Sequence, residues 1–362
     1  MFVAWRDLKF AKGRFALMGT VIVLITLLVG LLSGLTAGLG RQNISAITGL
    51  PADRIAFQAP SGGQDVSYSN STVIAKQWQQ WSKTPGVESA EPLGITTTKA
   101  TAGDRSTGVS AFGIQPGSRL APDSDKINGK SVVLSTTAAD DLGLKAGDAF
   151  TLAGNRLTVA AVKGDASFSH TPVIWTSLDV WQETAPPTTG GDGPAATVIA
   201  LTTTSNADLA ATDQAAGTKT LSKDDSLSAI GSYTSENGSL QLMRGFLFAI
   251  SALVIGAFFT VWTIQRSGDV AVLKALGAST ANLLKDALGQ AVVLLAGGTL
   301  LGTGLAAGLG ALVSGSAVPF LLTPTTVVLP AAVVILLGLL GAGLAIRRIT
   351  SVDPLTALGS AR

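Results

Sequence analysis

Four stretches of this chain run apolar for longer than a helix in a soluble core requires: 15–39, 240–264, 287–315 and 322–346. A helix needs about 20 apolar residues to cross a hydrocarbon core. The pattern therefore predicts four transmembrane helices, at 15–39, 241–264, 287–315 and 322–346. The segment 41–240 between the first and second has a different texture, with short β-prone runs alternating with polar turns. Strands are expected at Arg54-Ile-Ala-Phe-Gln-Ala, from Pro85-Gly-Val-Glu through Phe112-Gly-Ile, and at Lys130-Ser-Val-Val-Leu-Ser. A further strand pair is expected around the tight turn Ala153-Gly154-Asn155. Short helices are expected over 71–82, capped by Ser or Asn, and over 137–142. Trp78 and Trp81 stand three apart and so share one face of the first of these. Gly147 and Asp148 read as turn residues, and 186–194, rich in Thr, Gly and Pro, as a flexible loop. The fold class expected is an α-helical membrane protein: four transmembrane helices, with an α+β extracytoplasmic domain inserted between helices one and two.

Composition supports the membrane assignment. Of 362 residues, 47% are hydrophobic and 13% charged, against about 25% charged in average soluble domains. Orientation follows from basic residues near the membrane ends. Residues 1–14 carry Arg6, Lys9, Lys12 and Arg14; the 265–286 segment carries Arg266, Lys274 and Lys285; the tail 347–362 carries Arg347, Arg348 and Arg362. Together these segments hold 10 basic and 4 acidic residues, whereas 41–240 holds 14 basic and 19 acidic. Both termini and the 265–286 segment are thus expected in the cytoplasm and 41–240 outside, in the cell membrane. The basic excess reflects topology and gives no reason to expect a nucleic-acid partner. Phe2, Trp5, Leu8 and Phe10 alternate with basic residues, which predicts a short interfacial helix over 1–14. A signal peptide is the competing reading; the following apolar stretch is too long for one and no clear Ala-x-Ala site follows it.

Candidate chemistry is sparse. Cysteine is absent, so no disulfide or thiolate metal site exists. No Gly-x-x-x-x-Gly-Lys-Ser/Thr loop is present to cradle ATP. The single histidine, His170, reads as a surface or strand-end residue, and the pairs Asp140/Asp141 and Asp224/Asp225 as solvated positions. No enzyme site and no metal site is expected. Glu236 is the only one of four glutamates beside a membrane helix. With Leu240, Met243 and Leu247 it falls on one helical face, with Arg244 adjacent and Arg41 expected at the end of helix one at the same depth. Ionisable residues at such a rim are costly and functional by default. Two readings stay open for Glu236: pairing with Arg244 or capping the helix, or contacting a ligand. Gly30, Gly34 and Gly38 put three small residues on one face of helix one, fit for close packing within the chain or across a dimer.

The run Gly268-Asp-Val-Ala-Val-Leu-Lys-Ala-Leu-Gly-Ala-Ser resembles the cytoplasmic signature of FtsX-like, MacB-type permeases of ABC transporters. The N-terminal elbow, the Pro85-Gly-Val-Glu and Leu142-Gly-Leu-Lys-Ala-Gly-Asp motifs, and the tail Arg347-Arg-Ile-Thr-Ser-Val-Asp-Pro-Leu-Thr-Ala-Leu-Gly are similar to the same family. The resemblance implies a non-catalytic permease that borrows a separate ATPase, two copies with ATP and Mg, and that forms a homodimer around its first two helices. It implies that Gly268, Asp269, Val270, Leu273, Lys274, Leu276 and Gly277 couple to that ATPase, driving efflux by mechanotransmission. The compact layout is similar to the haem-efflux permeases of Gram-positive bacteria. On that resemblance haem is the expected substrate, entering from the outer leaflet, with Glu236 as axial ligand to the iron, Met243 as second contact, Leu240 on the apolar slot, and Arg41 or Arg244 for the propionates. A peptide-antibiotic exporter, and a non-transporting regulator of a cell-wall hydrolase, are the alternatives.

Overall fold

The computed structural model describes residues 12–185, 195–265, 268, 272, 276, 277, 279–313 and 318–350. The chain divides into two compact units, Leu39–Gly238 and the combination of Met1–Gly38 with Ser239–Arg362.

Among the described residues four helices are long and apolar enough to span a membrane, most of each lying in the second unit: α1 (Lys12–Thr48), and three later helices, Gly231–Gln265, Thr280–Val313 and Pro324–Thr350. The chain is a multi-pass membrane protein. Its membrane unit is knit by Phe15, Met18, Ile22, Ile255, Phe259, Trp262, Leu295 and Val334. Glycine lets the backbones close in. A methyl group on Gly30 would come within 2.8 Å of Ala306 Cβ, and one on Gly302 within 2.6 Å of the Val23 carbonyl oxygen. Gly34 lies against the Phe320 ring and Gly38 against the Pro319 carbonyl. The glycine face of the first helix is therefore filled by its own chain, and any contact between copies must use another face.

The inserted unit starts on the end of α1. The helix continues past Arg41, where the sequence pattern placed its end, to Thr48. Polar Arg41, Gln42 and Asn43 suggest an exit from the membrane, yet they break no helical hydrogen bond, and Ala46 and Ile47 beyond them find a soluble core to enter. The unit then runs β1 (Arg54–Gln58), β2 (Val73–Ile74), α2 (Ala75–Trp81), β3 (Val87–Ala102), β4 (Arg105–Ile114), β5 (Ser131–Leu134), α3 (Thr136–Leu142), β6 (Ala149–Leu152) and β7 (Asn155–Val162). It closes with β8 (Ser167–Phe168), β9 (Thr171–Ser177), α4 (Leu178–Thr184), β10 (Ala195–Ala196), β11 (Val198–Thr203), α5 (Leu209–Ala216), β12 (Thr218–Ser222) and the start of α6 (Gly231–Gln265). The remaining membrane helices are α7 (Thr280–Val313) and α8 (Pro324–Thr350). The main sheet has the order β12-β1-β11-β3-β4-β9-β5-β7-β6. A second pairing, Ala100 and Thr101 of β3 with Leu152 and Thr151 of β6, closes the strands from β3 to β6 into a circuit. β4 runs parallel to β9 and β5 parallel to β7; the other neighbours in the main sheet are antiparallel.

Two cores flank this sheet. On one side α2, α3, α4 and α5 bury Trp78, Trp81, Leu142 and Trp181. Helix α2 starts at Ala75, later than the pattern suggested. Ser71 is drawn into the fold instead, its hydroxyl donating to the Thr197 carbonyl at 2.7 Å and accepting from the Gln58 N–H at 3.0 Å. The Gln77 side chain accepts from the Ile74 N–H at 2.8 Å and serves as the helix start. On the other side an aromatic row of edge-on contacts links Phe57, Tyr68, Phe168, Phe112 and Trp175, with centroids 4.9 to 5.6 Å apart. Ile47 and Leu50 cover it from the end of α1, and Ile230 from the approach to α6. The row fixes Phe168, two residues before His170.

Gly147 has φ +97 and Asp148 accepts the Lys145 N–H at 2.8 Å, a turn as the sequence reads. Asp123 joins two lysines, neighbouring Lys126 at 2.8 Å and distant Lys163 at 2.5 Å. Those hydrogen bonds, Lys126 first, hold its carboxyl down at about 2. A depressed carboxyl contributes stability above its unfolded value of about 4, and that contribution is lost as pH falls through about 2. Asp123→Asn is expected to flatten this part of the acid limb without altering stability's pH dependence near neutrality. Acid unfolding followed by tryptophan fluorescence checks it; an unchanged limb would assign the acid sensitivity elsewhere.

Candidate functional site

Glu236 lies in the inserted unit, on the first turns of α6. It does not cap the helix. His170 Nε2 stands 2.8 Å from each of its carboxylate oxygens, and Asn43 Nδ2 donates to Oε2 at 3.1 Å. Asn43 Nδ2 is also 2.9 Å from His170 Nε2. Three separate parts of the chain converge here: the end of α1, the β8–β9 turn and the start of α6.

Each group is fixed from behind. Asn43 is 1% exposed, and its Oδ1 accepts from the Ser232 hydroxyl at 2.6 Å. Ser232 in turn meets Ser169 Oγ at 2.8 Å. Ser169 and His170 both adopt left-handed backbone, φ 49 and 64. Consecutive non-glycine residues in that region are uncommon and persist only where surroundings enforce them. The enforcement is visible: the Ser169 N–H donates to the Asn43 carbonyl at 3.0 Å and the His170 N–H to the Gln42 carbonyl at 3.2 Å. The side chains of His170 and Glu236 remain 30% and 40% exposed, so a ligand can reach them.

The other expected residues fall as follows. Arg41 is half exposed and pairs with Asp165 at 3.8 Å, an exposed ion pair of small energetic weight. It does not end helix one. Leu240, Met243 and Arg244 belong to the membrane unit. Leu240 is half-buried and Met243 51% exposed. The Arg244 guanidinium lies 6.0 Å from the Phe248 ring centroid. In the segment between α6 and α7 Gly268 is helical and exposed, Leu276 exposed, and Gly277 left-handed at φ +94. Asp269, Val270, Leu273 and Lys274 lie outside the described residues. Sequence reasoning missed His170 and Asn43 as partners of Glu236. They stand 66 and 193 residues from it in sequence, and no local pattern signals such a pairing.

The sequence model for the MacB-like periplasmic core domain matches residues 15–219, more than half of the chain. The chain belongs to the FtsX-like, MacB-type permease family. The model for the FtsX-like permease C-terminal region matches residues 242–354, which holds the last three membrane helices and the segment between α6 and α7. This permease is similar along its whole length to a protein of Staphylococcus haemolyticus named for hemin transport, permease protein HrtB, at 26% identity over 99% of both chains. A Staphylococcus epidermidis protein of the same name is 25% identical over the same shares. An uncharacterized ABC transporter permease of Mycobacterium bovis is 24% identical, again over 99% of both. The FtsX-like permease therefore has the α/β domain its family carries between the first and second membrane helices. Its relatives are the membrane subunits of ABC transporters, a class in which a separate subunit hydrolyses ATP.

Proposed function

We propose that this permease exports haem, as a homodimer driven by two copies of an ABC ATPase. The observation that carries the reading is similarity over the full length to proteins named as hemin transport permeases. Both termini and the 265–286 segment face the cytoplasm, as the basic residues argue, and the inserted unit lies outside. Haem enters from the outer leaflet. Its iron needs an axial ligand and its propionates a cation. Glu236 offers an accessible carboxylate, and Met243 and Arg244 follow two turns along α6. Arg41, whose exposed pair with Asp165 is easily given up, or Arg244 takes the propionates. Leu17, Leu24 and Leu28 of α1 and Phe246, Ile250 and Leu253 of α6 are each more than half exposed and supply apolar rows for lipid and for the second copy. ATP binding moves the 268–277 segment, and the first two helices carry that movement outward.

The test is a titration of the detergent-purified permease–ATPase complex with ferric haem, followed by absorbance. The wild type is expected to give a saturable Soret shift and Glu236→Ala to lose it. A shift unaffected by the substitution would keep haem and move its ligand. No shift in the wild type would sink the haem reading, and peptides or lipids would then be the substrates to try.

A further inference from the structure

Within the cluster around Glu236 the two carboxylate oxygens are not equivalent. Oε2 is approached by Asn43 Nδ2 at 3.1 Å and by His170 Nε2 at 2.8 Å, whereas Oε1 has, among the described residues, only the shared His170 contact. An ionised carboxylate has about four lone-pair sites, so Oε1 keeps most of its accepting capacity. We assign the His170 proton to Nε2, because a lone pair there would face two carboxylate oxygens at 2.8 Å; the 2.9 Å approach of Asn43 Nδ2 is then that of two donors converging on one carboxylate. The histidine is not a second axial ligand beside Glu236. Axial ligands lie on opposite faces of a haem, and groups 2.8 Å apart cannot do so.

We propose that His170 and Asn43 are positioning residues that hold Oε2 of Glu236 and present Oε1 to the haem iron. This rests on the haem reading and deepens it. Carboxylates that ligate metals are themselves hydrogen-bonded, and loss of such a partner costs about 10- to 100-fold in metal affinity. The unusual backbone of the 169–170 turn has its reason here: it aims the imidazole at α6, and the carbonyls of Gln42 and Asn43 on α1 keep it there. Asn43 is buried and tied to Ser232, so the carboxylate meets a fixed amide.

The experiment titrates ferric haem into the permease–ATPase complex carrying His170→Ala, His170→Gln, Asn43→Ala, Glu236→Ala, or His170→Ala with Glu236→Ala. His170→Ala is expected to weaken haem binding about 10- to 100-fold and to shift the charge-transfer bands of the ferric complex. His170→Gln retains an N–H donor and is expected to recover much of both. The double variant is expected to bind no more weakly than Glu236→Ala, because residues acting through one group are not additive. A wild-type Soret shift with His170→Ala binding equally well would overturn the positioning role alone. No Soret shift in the wild type would overturn the haem reading and this role with it. Should His170→Ala fail to assemble with its ATPase, Asn43→Ala and His170→Gln decide: the same graded losses support the role, and wild-type affinity in both removes it.

Discussion

Replacing Trp181 with alanine is expected to destabilise the inserted unit by about 3 kcal/mol, the low end of the roughly 3–5 kcal/mol typical of buried Trp or Phe truncations. The indole of Trp181 lies on a floor made by Gly94 and Gly113, which face each other across β3 and β4. A side-chain carbon on either glycine would overlap the ring. Removing the indole leaves a void that two glycines cannot fill. The estimate is kept low because the indole N–H is buried with no hydrogen-bond partner among the described residues. Its desolvation, worth about 1–3 kcal/mol, burdens the wild type and disappears in the variant. Trp181→Phe relieves that burden while keeping most of the ring and should cost far less. Gly113→Val overfills the same contact and should cost about 1–3 kcal/mol. Urea unfolding of the full chain in detergent, read by hydrogen exchange on β3 and β4, measures all three. Trp181→Ala within error of wild type would mean the glycine floor is not what seats α4.

This contact marks how far the sequence could be read. Residues that speak through local period were legible. Arg54-Ile-Ala-Phe-Gln, Ser131-Val-Val-Leu and the pair around Ala153-Gly154 form the expected strands, and Trp78 and Trp81 are buried together on α2. The four long apolar segments are the membrane-capable helices. What was not legible depends on partners far away in sequence. Ser71 looked like a helix start but is claimed by Gln58 and Thr197. Arg41 looked like a helix end, yet the helix continues because Ala46 and Ile47 have a core to join. The glycine face of helix one suits a second copy as well as Pro319 and Phe320, and only the fold shows that the latter take it. At the site, charge and position next to a membrane helix singled out Glu236. Nothing near His170 or Asn43 in sequence connects them to it, because that link exists only once α1, the β8–β9 turn and α6 are folded together.

On the proposed export function, Leu276→Asp is expected to reduce haem-stimulated ATP hydrolysis by the permease–ATPase complex more than about tenfold, by analogy with hot-spot losses of 2 kcal/mol or more at interfaces. Gly268, Val272 and Leu276 recur every four residues in the segment between α6 and α7, and all three are exposed. The Leu276 N–H donates to the Val272 carbonyl at 3.0 Å, a helical bond that places these two side chains on one face. Leu276 is 79% exposed, which leaves a large apolar side chain unused by the permease itself. Gly277 then ends the turn at φ +94, a conformation that favours glycine. If the face docks on the ATPase, as the family resemblance implies, a carboxylate at 276 is desolvated at that contact. Leu276→Ala removes contact without adding charge and should cost less, while both variants should bind haem as the wild type does, since Glu236 is untouched. The measurements are ATPase co-purification, haem-stimulated hydrolysis and haem affinity on the same samples. Full coupling in Leu276→Asp would mean that the docking contact does not use Leu276. Loss of haem affinity in parallel would show that the substitution disturbs the whole permease and would withdraw Leu276 as a coupling residue.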